Sequence, residues 1–268
     1  MFELSKLAEL NSATKYPSIE TYHVLGEKGR LTETVGPFAG IESGEDVVLT
    51  EKVDGTNIRI VLLPDGDWFI GMREELIYAK GDRIVPTALN GAVHVAIPYA
   101  KHAAKWQAVY GGQYPKHAQV FFFEVYGSKI GAAAKNYTKG TEMGARLFDV
   151  AFVPLDMFDK PREEIASWRD HGGQTFATEE TVLRAAEVLK MSCTPRLGTV
   201  MSDSLPTTLE GTLDWLREAL PVTQVTLDQD LRSPAEGIVL RTKDRSRIAK
   251  ARFEDYTRTL TPPQGKRR

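Results

Sequence analysis

At residues 51–57 the chain reads EKVDGTN, which sets Lys52 between an acid, Glu51, and the Asp54-Gly55 pair of a tight turn. The flanking stretches DVVLT and IRIVLL are apolar runs of strand length and composition. A lysine in that setting can serve as a nucleophile, provided its nitrogen has a lone pair. At an ordinary pKa near ~10.4 the amine is almost wholly protonated at pH 7. Nearby cations and partial burial lower that value, and the same cations neutralise the oxygens of an anionic electrophile. Such cations come nearly 200 residues later, where RTKDRSRIAKAR (241–252) carries six basic residues against one acid, Asp244. If Arg241, Lys250 and Arg252 fold beside Lys52, the run both binds a phosphate and favours the neutral amine. Glu124 in FFFEVYG and Glu236 in AEGIVLR are the carboxylates expected to hold a magnesium ion against that phosphate, as an in-line displacement requires.

Each piece has an ordinary reading when taken singly. Asp54-Gly55 makes a hairpin turn, Lys52 an exposed strand residue, FFFEVYG a core strand with Glu124 at its edge, and the basic run a solvated face. Their order along the chain carries the information.

The elements that must position these residues are legible in outline. DVVLTEKV, NIRIVLL and WFIGM read as strands, the last two joined by the turn PDGD at 64–67. Residues 86–110 have a helical pattern that Pro98 is expected to break or kink. AQVFFFEVYG (118–127) and ARLFDVAFV (145–153) are further strands. PREEIASWRDHGG, TEETVLRAAEVLK and TTLEGTLDWLREAL are helices, with Thr207 and Glu210 at capping-box spacing in the third. EGIVLR and RIAKARF read as two closing strands. Strands, then helices, then strands again make an α+β plan with antiparallel sheets rather than βαβ alternation. The chain also lacks GxGxxG and GxxxxGK[ST], as that plan leads one to expect.

Bulk properties narrow the class. A length of 268 residues suffices for a sizeable core, and 42% apolar with 26% charged residues is an ordinary globular balance. No stretch approaches the roughly 18 apolar residues of a membrane span, and MFELSKLAEL lacks a signal-peptide plan. Cys193 is the sole cysteine, which excludes an internal disulfide and a cysteine-based zinc cluster. The five histidines show no metal-ligand spacing. These features lead one to expect a soluble cytoplasmic protein, of a cell or of a phage. A net charge of −2 means that any attraction for nucleic acid is local.

EKVDGTN, GMREELI, FFFEVYG, ARLFDV, AEGIVLR and RIAKARF resemble, in this order, the successive motifs of the covalent nucleotidyltransferases, which comprise ATP-dependent ligases and mRNA capping enzymes. KYPSIETYH upstream, Thr-Asn directly after the KxDG and CTPRLG before the last motifs make the chain most similar to the type 2 RNA ligases. The resemblance runs from about Lys15 to Tyr256. It implies an adenylyltransferase domain, ATP-grasp-like, with antiparallel sheets flanked by helices, over residues 1–256, and a basic tail at 257–268. It also implies ATP and Mg2+ or Mn2+ as cofactors and RNA ends as partners.

By the same resemblance, Lys52 attacks the α-phosphate of ATP, expels pyrophosphate and becomes lysyl-AMP. Asp54 orients the nucleophile or a water on the metal. Glu51 and the backbone around it read the adenine, and Phe148 stacks on it. Glu124 and Glu236 bind ribose and metal. Lys250 and Arg252 grip the phosphates with Arg241 assisting. Asn57 and Arg73 orient pyrophosphate or the RNA end, and Thr56 meets a terminal ribose. AMP then passes to a 5′-phosphate on RNA, and an adjacent 3′-OH displaces it to seal the strand.

The sequence departs from the family pattern twice. The last motif has arginine at 252 where a second lysine is usual, which keeps the charge but cannot donate a proton as an acid. Only 18 residues follow Lys250, too few for the separate C-terminal domain usual in such enzymes. RNA clamping then falls to the tail, to the lysines interleaved with aromatics in KNYTKG and YAKGD, or to a partner subunit; otherwise the enzyme acts only on nicked or pre-adenylylated ends. The alternatives to an RNA ligase are a minimal ATP-dependent DNA ligase and a nucleotide- or RNA-binding module without catalysis.

Overall fold

The computed structural model describes residues 3–80, 82–83, 90–110 and 114–261. In chain order come α1 (Leu7–Ala13), β1 (His23–Leu25), β2 (Leu31–Val35), β3 (Asp46–Lys52), β4 (Thr56–Leu62), β5 (Trp68–Met72), β6 (Leu76–Ala79), β7 (Asp82–Arg83) and α2 (Asn90–Tyr110). They are followed by β8 (His117–Gly127), β9 (Met143–Pro154), α3 (Arg162–Asp170), β10 (Thr175–Phe176), α4 (Glu179–Leu189) and β11 (Arg196–Met201). The last elements are α5 (Leu209–Ala219), β12 (Gly237–Thr242), β13 (Ile248–Arg252) and α6 (Phe253–Leu260). The architecture is the expected mixture of helices and antiparallel sheet.

The chain divides into two compact units, and neither is continuous in sequence. The first comprises Met1–Pro17, Asp54–Cys193 and Leu227–Gln229; the second comprises Ser18–Val53, Thr194–Thr226 and Asp230–Arg268. No linker composition marks the division, because the backbone crosses between the units several times at ordinary strand ends and loops.

The first unit is built on a seven-stranded sheet in the order β10-β9-β8-β4-β5-β6-β7, antiparallel throughout. Alternate residues of each strand point to opposite faces, and both faces are packed. On one face Ile58, Ile60, Phe121, Phe123 and Leu147 pack with Ala96 and Ala100 of α2 and Val182 and Leu189 of α4. On the other, Val61, Val120, Phe122 and Ala151 pack with Leu10 of α1 and Ile165 of α3. Helix α2 continues through Pro98 instead of breaking there. The carbonyl deprived of its partner is that of His94, one turn earlier, and both residues are exposed, so water can satisfy it. Residues 86–89 of the expected helix lie outside the described residues.

The second unit holds a four-stranded antiparallel sheet, β11-β3-β12-β13, and the two-stranded ribbon β1-β2. Val47, Leu49, Ile238, Leu240, Ala249 and Ala251 put one face of the larger sheet into a core with Leu213 and Leu216 of α5 and Tyr256 of α6. Two expectations need correction here. Thr208, not Thr207, caps α5, its Oγ1 accepting from the Gly211 N–H at 3.1 Å, while the Thr207 carbonyl bonds the buried His23 ring at 3.1 Å. The chain also does not close on strands: Phe253 begins α6, whose amphipathic face buries Tyr256. The segment taken as a tail starts inside this helix, and 262–268 lie outside the described residues.

Candidate active site

The unit boundary falls inside EKVDGTN, after Val53, so the candidate residues form two sets. In the second unit, strand register explains how residues so distant in sequence come together. β12 lies between β3 and β13, and Gly237 pairs with both Lys52 and Arg252; one step along, Val239 pairs with both Thr50 and Lys250. Directly paired residues share a face. Lys52, Arg241, Lys250 and Arg252 therefore stand on the face opposite the apolar core. Gly237 is a close approach rather than a flexible point: a Cβ there would lie 2.1 Å from the Ala251 carbonyl oxygen.

Lys52 Nζ donates to Glu236 Oε2 at 2.6 Å, with the lysine side chain 28% and the glutamate 18% exposed. The immediate partner of the lysine is thus an acid 184 residues away that holds the amine in one place. The two flanking motifs acquire reasons as well. The Tyr22 N–H donates to the Lys250 carbonyl and the Lys250 N–H to that of Glu20, both at 2.9 Å, so KYPSIETYH fixes the strand of Lys250. CTPRLG enters β11, and the Pro195 carbonyl accepts from the Glu51 N–H at 2.9 Å.

Glu51 does not share the face of Lys52. It is buried, and its carboxylate accepts from Thr223 Oγ1 and from the Gln224 N–H at 2.8 Å. Arg241 is buried too. Arg252 forks onto Asp255, with Nε at 2.7 Å and Nη2 at 2.9 Å, and this carboxylate raises the guanidinium above its ordinary basicity.

In the first unit a second row crosses three strands: Asn57 pairs with Glu124, and Glu124 pairs with Arg146. Glu124 Oε1 accepts from the Gly55 N–H at 3.1 Å, tying the turn after the lysine to β8. The Asp54 N–H donates to Tyr137 Oη at 2.7 Å, so the tyrosine of KNYTKG is a buried support for the turn. Asn57 Oδ1 is buried without a hydrogen-bond partner among the described residues. Thr56 faces the other side of β4. Arg146 was missed as a site candidate although it lies in ARLFDV; only the register reveals it as the neighbour of Glu124. Its Nε donates to Tyr126 Oη at 3.3 Å and its Nη1 to the Cys193 carbonyl at 3.5 Å.

Phe148 occupies a bulge of β9, since Phe122 pairs with Asp149 and Phe123 with Leu147. Its half-buried ring packs edge-on against Tyr16, centroids 5.1 Å apart, and beside Phe122. Arg73 is exposed and lies 3.7 Å from Glu74. Its backbone is pinned by Arg59, a fully buried guanidinium that donates to the carbonyls of Met72 and Arg73, to Asn11 Oδ1 at 2.5 Å and to Thr14 Oγ1 at 3.3 Å. Burial pulls Arg59 down to about 9.

Residues 45–253, more than half of the chain, match the sequence profile of the RNA ligase family. The chain belongs to the RNA ligase family. Among solved structures, an RNA ligase of Naegleria gruberi with pyrophosphate is similar at 17% identity and a TM-score of 0.52, over 81% of this chain and 52% of that one. A glutamate-to-alanine variant of the same ligase with ATP and manganese gives 17% and 0.55, over 92% and 62%. A lysine-to-alanine variant, also with ATP and manganese, gives 17% and 0.52, over 81% and 52%. This RNA ligase chain thus spans about half the length of the solved structures it matches, and the likeness shows a shared fold. No curated protein sequence matches it. No helix among the described residues is long and apolar enough to cross a membrane.

Each unit contributes one carboxylate of the kind that magnesium takes singly or in pairs beside phosphates and water, Glu124 in the first and Glu236 in the second. No group of three or more acids, histidines or cysteines forms a closed metal cage among the described residues.

Proposed function

We propose that this RNA ligase family member is an ATP-dependent RNA ligase that joins 5′-phosphate and 3′-OH ends through a lysyl-AMP on Lys52. The observation that carries the reading is the 2.6 Å pairing of Lys52 with Glu236, on a sheet face shared with Arg241, Lys250 and Arg252. Once one proton of the Lys52 ammonium has passed to water, its nitrogen attacks the α-phosphorus of ATP, losing a second proton to water as the phosphoramidate forms. A P–N bond forms, the bond to the bridging oxygen breaks, and pyrophosphate leaves with the electron pair. Lys250 and Arg252 hold phosphate oxygens, and Glu236 keeps the lysine aimed. Glu124 serves ribose and metal, Asp54 orients the nucleophile, Phe148 stacks on the base, Asn57 and Arg73 orient pyrophosphate or the RNA end, and Thr56 meets a terminal ribose. Glu51, both of whose oxygens are engaged, acts by holding the loop at Thr223–Gln224 against β3 (Glu51 itself is the residue before the nucleophile). Glu124 and Glu236 are the carboxylates that would hold magnesium, which would neutralise phosphate charge. In two further transfers AMP moves to the 5′-phosphate of RNA, and the 3′-OH displaces it. The protein acts in the cytoplasm on broken or nicked RNA.

The test is incubation with magnesium and ATP labelled at the α-phosphate, followed by denaturation, beside Lys52→Ala and GTP. Label that survives denaturation and requires both ATP and Lys52 supports the reading. An intact mass lacking AMP before and after ATP, with the protein folded, excludes it. Nicked RNA and nicked DNA duplexes then decide the strand that is sealed.

A further inference from the structure

We propose that Asp255 is a positioning residue for the phosphate grip: it clamps one edge of the Arg252 guanidinium so that the other edge faces the nucleotide beside Lys52. The proposal rests on the reading above, in which the face of Lys52 receives ATP. Arg252 and Lys52 flank Gly237 in one cross-strand row. Two strand spacings separate their backbones, roughly 10 Å, a span that one triphosphate can bridge. Asp255 lies three residues beyond Arg252, in the first turn of α6, and is 1% exposed. Its carboxylate accepts from Arg252 Nε at 2.7 Å and Nη2 at 2.9 Å, and from Arg258 Nη2 at 2.7 Å.

A guanidinium carries five N–H donors in a plane. The fork onto Asp255 uses Nε–H and one Nη2–H. Both Nη1–H groups and the second Nη2–H remain, and they bond nothing among the described residues. Those remaining donors form another fork, matched to two non-bridging oxygens of a phosphate. Asp255 thus fixes the arginine in the plane and direction that serve the ligand. A lysine at 252 has a single nitrogen, which the buried carboxylate would capture. The pair accounts for arginine at the position where the family resemblance leads one to expect lysine.

The experiment reads ATP dependence in two ways: the rate of lysyl-AMP formation in a single turnover, and equilibrium ATP binding by calorimetry. Asp255→Asn, which keeps shape but loses charge, is expected to raise the half-saturating ATP concentration about tenfold, as for one charge-assisted fork, with the maximal rate changed less than about threefold. Arg252→Lys should do the same, and the double variant should be no worse than either single one, since both break one unit. Asp255→Glu keeps the charge and misplaces the fork, so it tests the idea even where Asp255→Asn folds poorly. Arg258→Gln removes the other arginine on the same carboxylate and should lower the unfolding temperature while leaving ATP dependence unchanged.

A folded Asp255→Asn or Asp255→Glu with wild-type ATP dependence overturns the proposal. Tighter ATP binding by Asp255→Asn also overturns it, because the carboxylate would then be a competitor of the phosphate. Absence of label in the wild type would instead count against the ligase reading, with calorimetry still reporting on Asp255.

Discussion

The two sheets treat polar side chains differently. In the four-stranded sheet one face is apolar core, and the opposite face carries Lys52, Thr50, Lys250, Arg252 and Arg241. In the seven-stranded sheet both faces pack against helices; its polar side chains Arg59, Gln119 and Asp149 are buried, and the row Asn57–Glu124–Arg146 stands near the strand ends around the Gly55 turn. A sheet with one core face can spend every second residue on charge, and IAKAR shows that alternation openly. A sheet covered on both faces must be apolar at nearly every position, and QVFFFEV reads as a continuous run. The candidate site residues are therefore distributed along the four-stranded sheet and gathered near one end of the seven-stranded sheet.

Five substitutions test that contrast. Lys52→Ala should abolish label transfer from ATP completely, while urea unfolding shows a stability within about 1 kcal/mol of wild type, because the ion pair lost is partly solvent-exposed. Loss of fold along with label would show that the charged face is structural after all. Phe122→Ala, at a fully buried position of β8, should cost about 3–5 kcal/mol by the same denaturation measurement. A small cost there would mean that the second sheet is packed less tightly than its two apolar clusters imply.

Arg59→Ala should cost about 2–3 kcal/mol, because it removes a fully buried guanidinium that ties β4 to Asn11, to Thr14 and to the carbonyls of Met72 and Arg73. Wild-type unfolding would indicate that water takes over those groups. Arg146→Gln should slow sealing of an RNA nick about tenfold, equivalent to ~1.4 kcal/mol, with the unfolding midpoint unmoved. An unaltered rate would leave the row in the second sheet as Asn57 and Glu124 alone. The mildest change is Val239→Thr, between Thr50 and Lys250, where stability should shift by less than about 1 kcal/mol, since the residue is only partly buried. A loss of several kcal/mol would identify this face as a second core.

What could be read from the sequence tracks how local its cause is. Strands β3, β4, β5, β8, β9, β12 and β13 and helices α3 to α5 were legible because side-chain periodicity and turn chemistry are decided by near neighbours. α1 and α6 were not, since each is short and draws its stability from packing, α1 through Leu10 and Arg59, α6 through Tyr256. The one-residue error at the α5 cap has a similar origin: Thr207 and Thr208 are chemically alike, and the distant His23 occupies the carbonyl of the first.

For the site, the sequence by itself determined the inventory: a lysine in EKVDGTN, two carboxylates, a basic run and the order that marks the family. Tertiary structure decided the partners. Of the acids near Lys52 in sequence, Glu51 turns to the buried side of β3, and it is Glu236, 184 residues later, that meets the amine. Arg252 answers to Asp255, and Glu124 gains Arg146 as a neighbour. The physical reason is that alternation fixes which residues of a strand share a face, whereas register between strands is set by long-range packing and by close approaches such as Gly237, which no local pattern records.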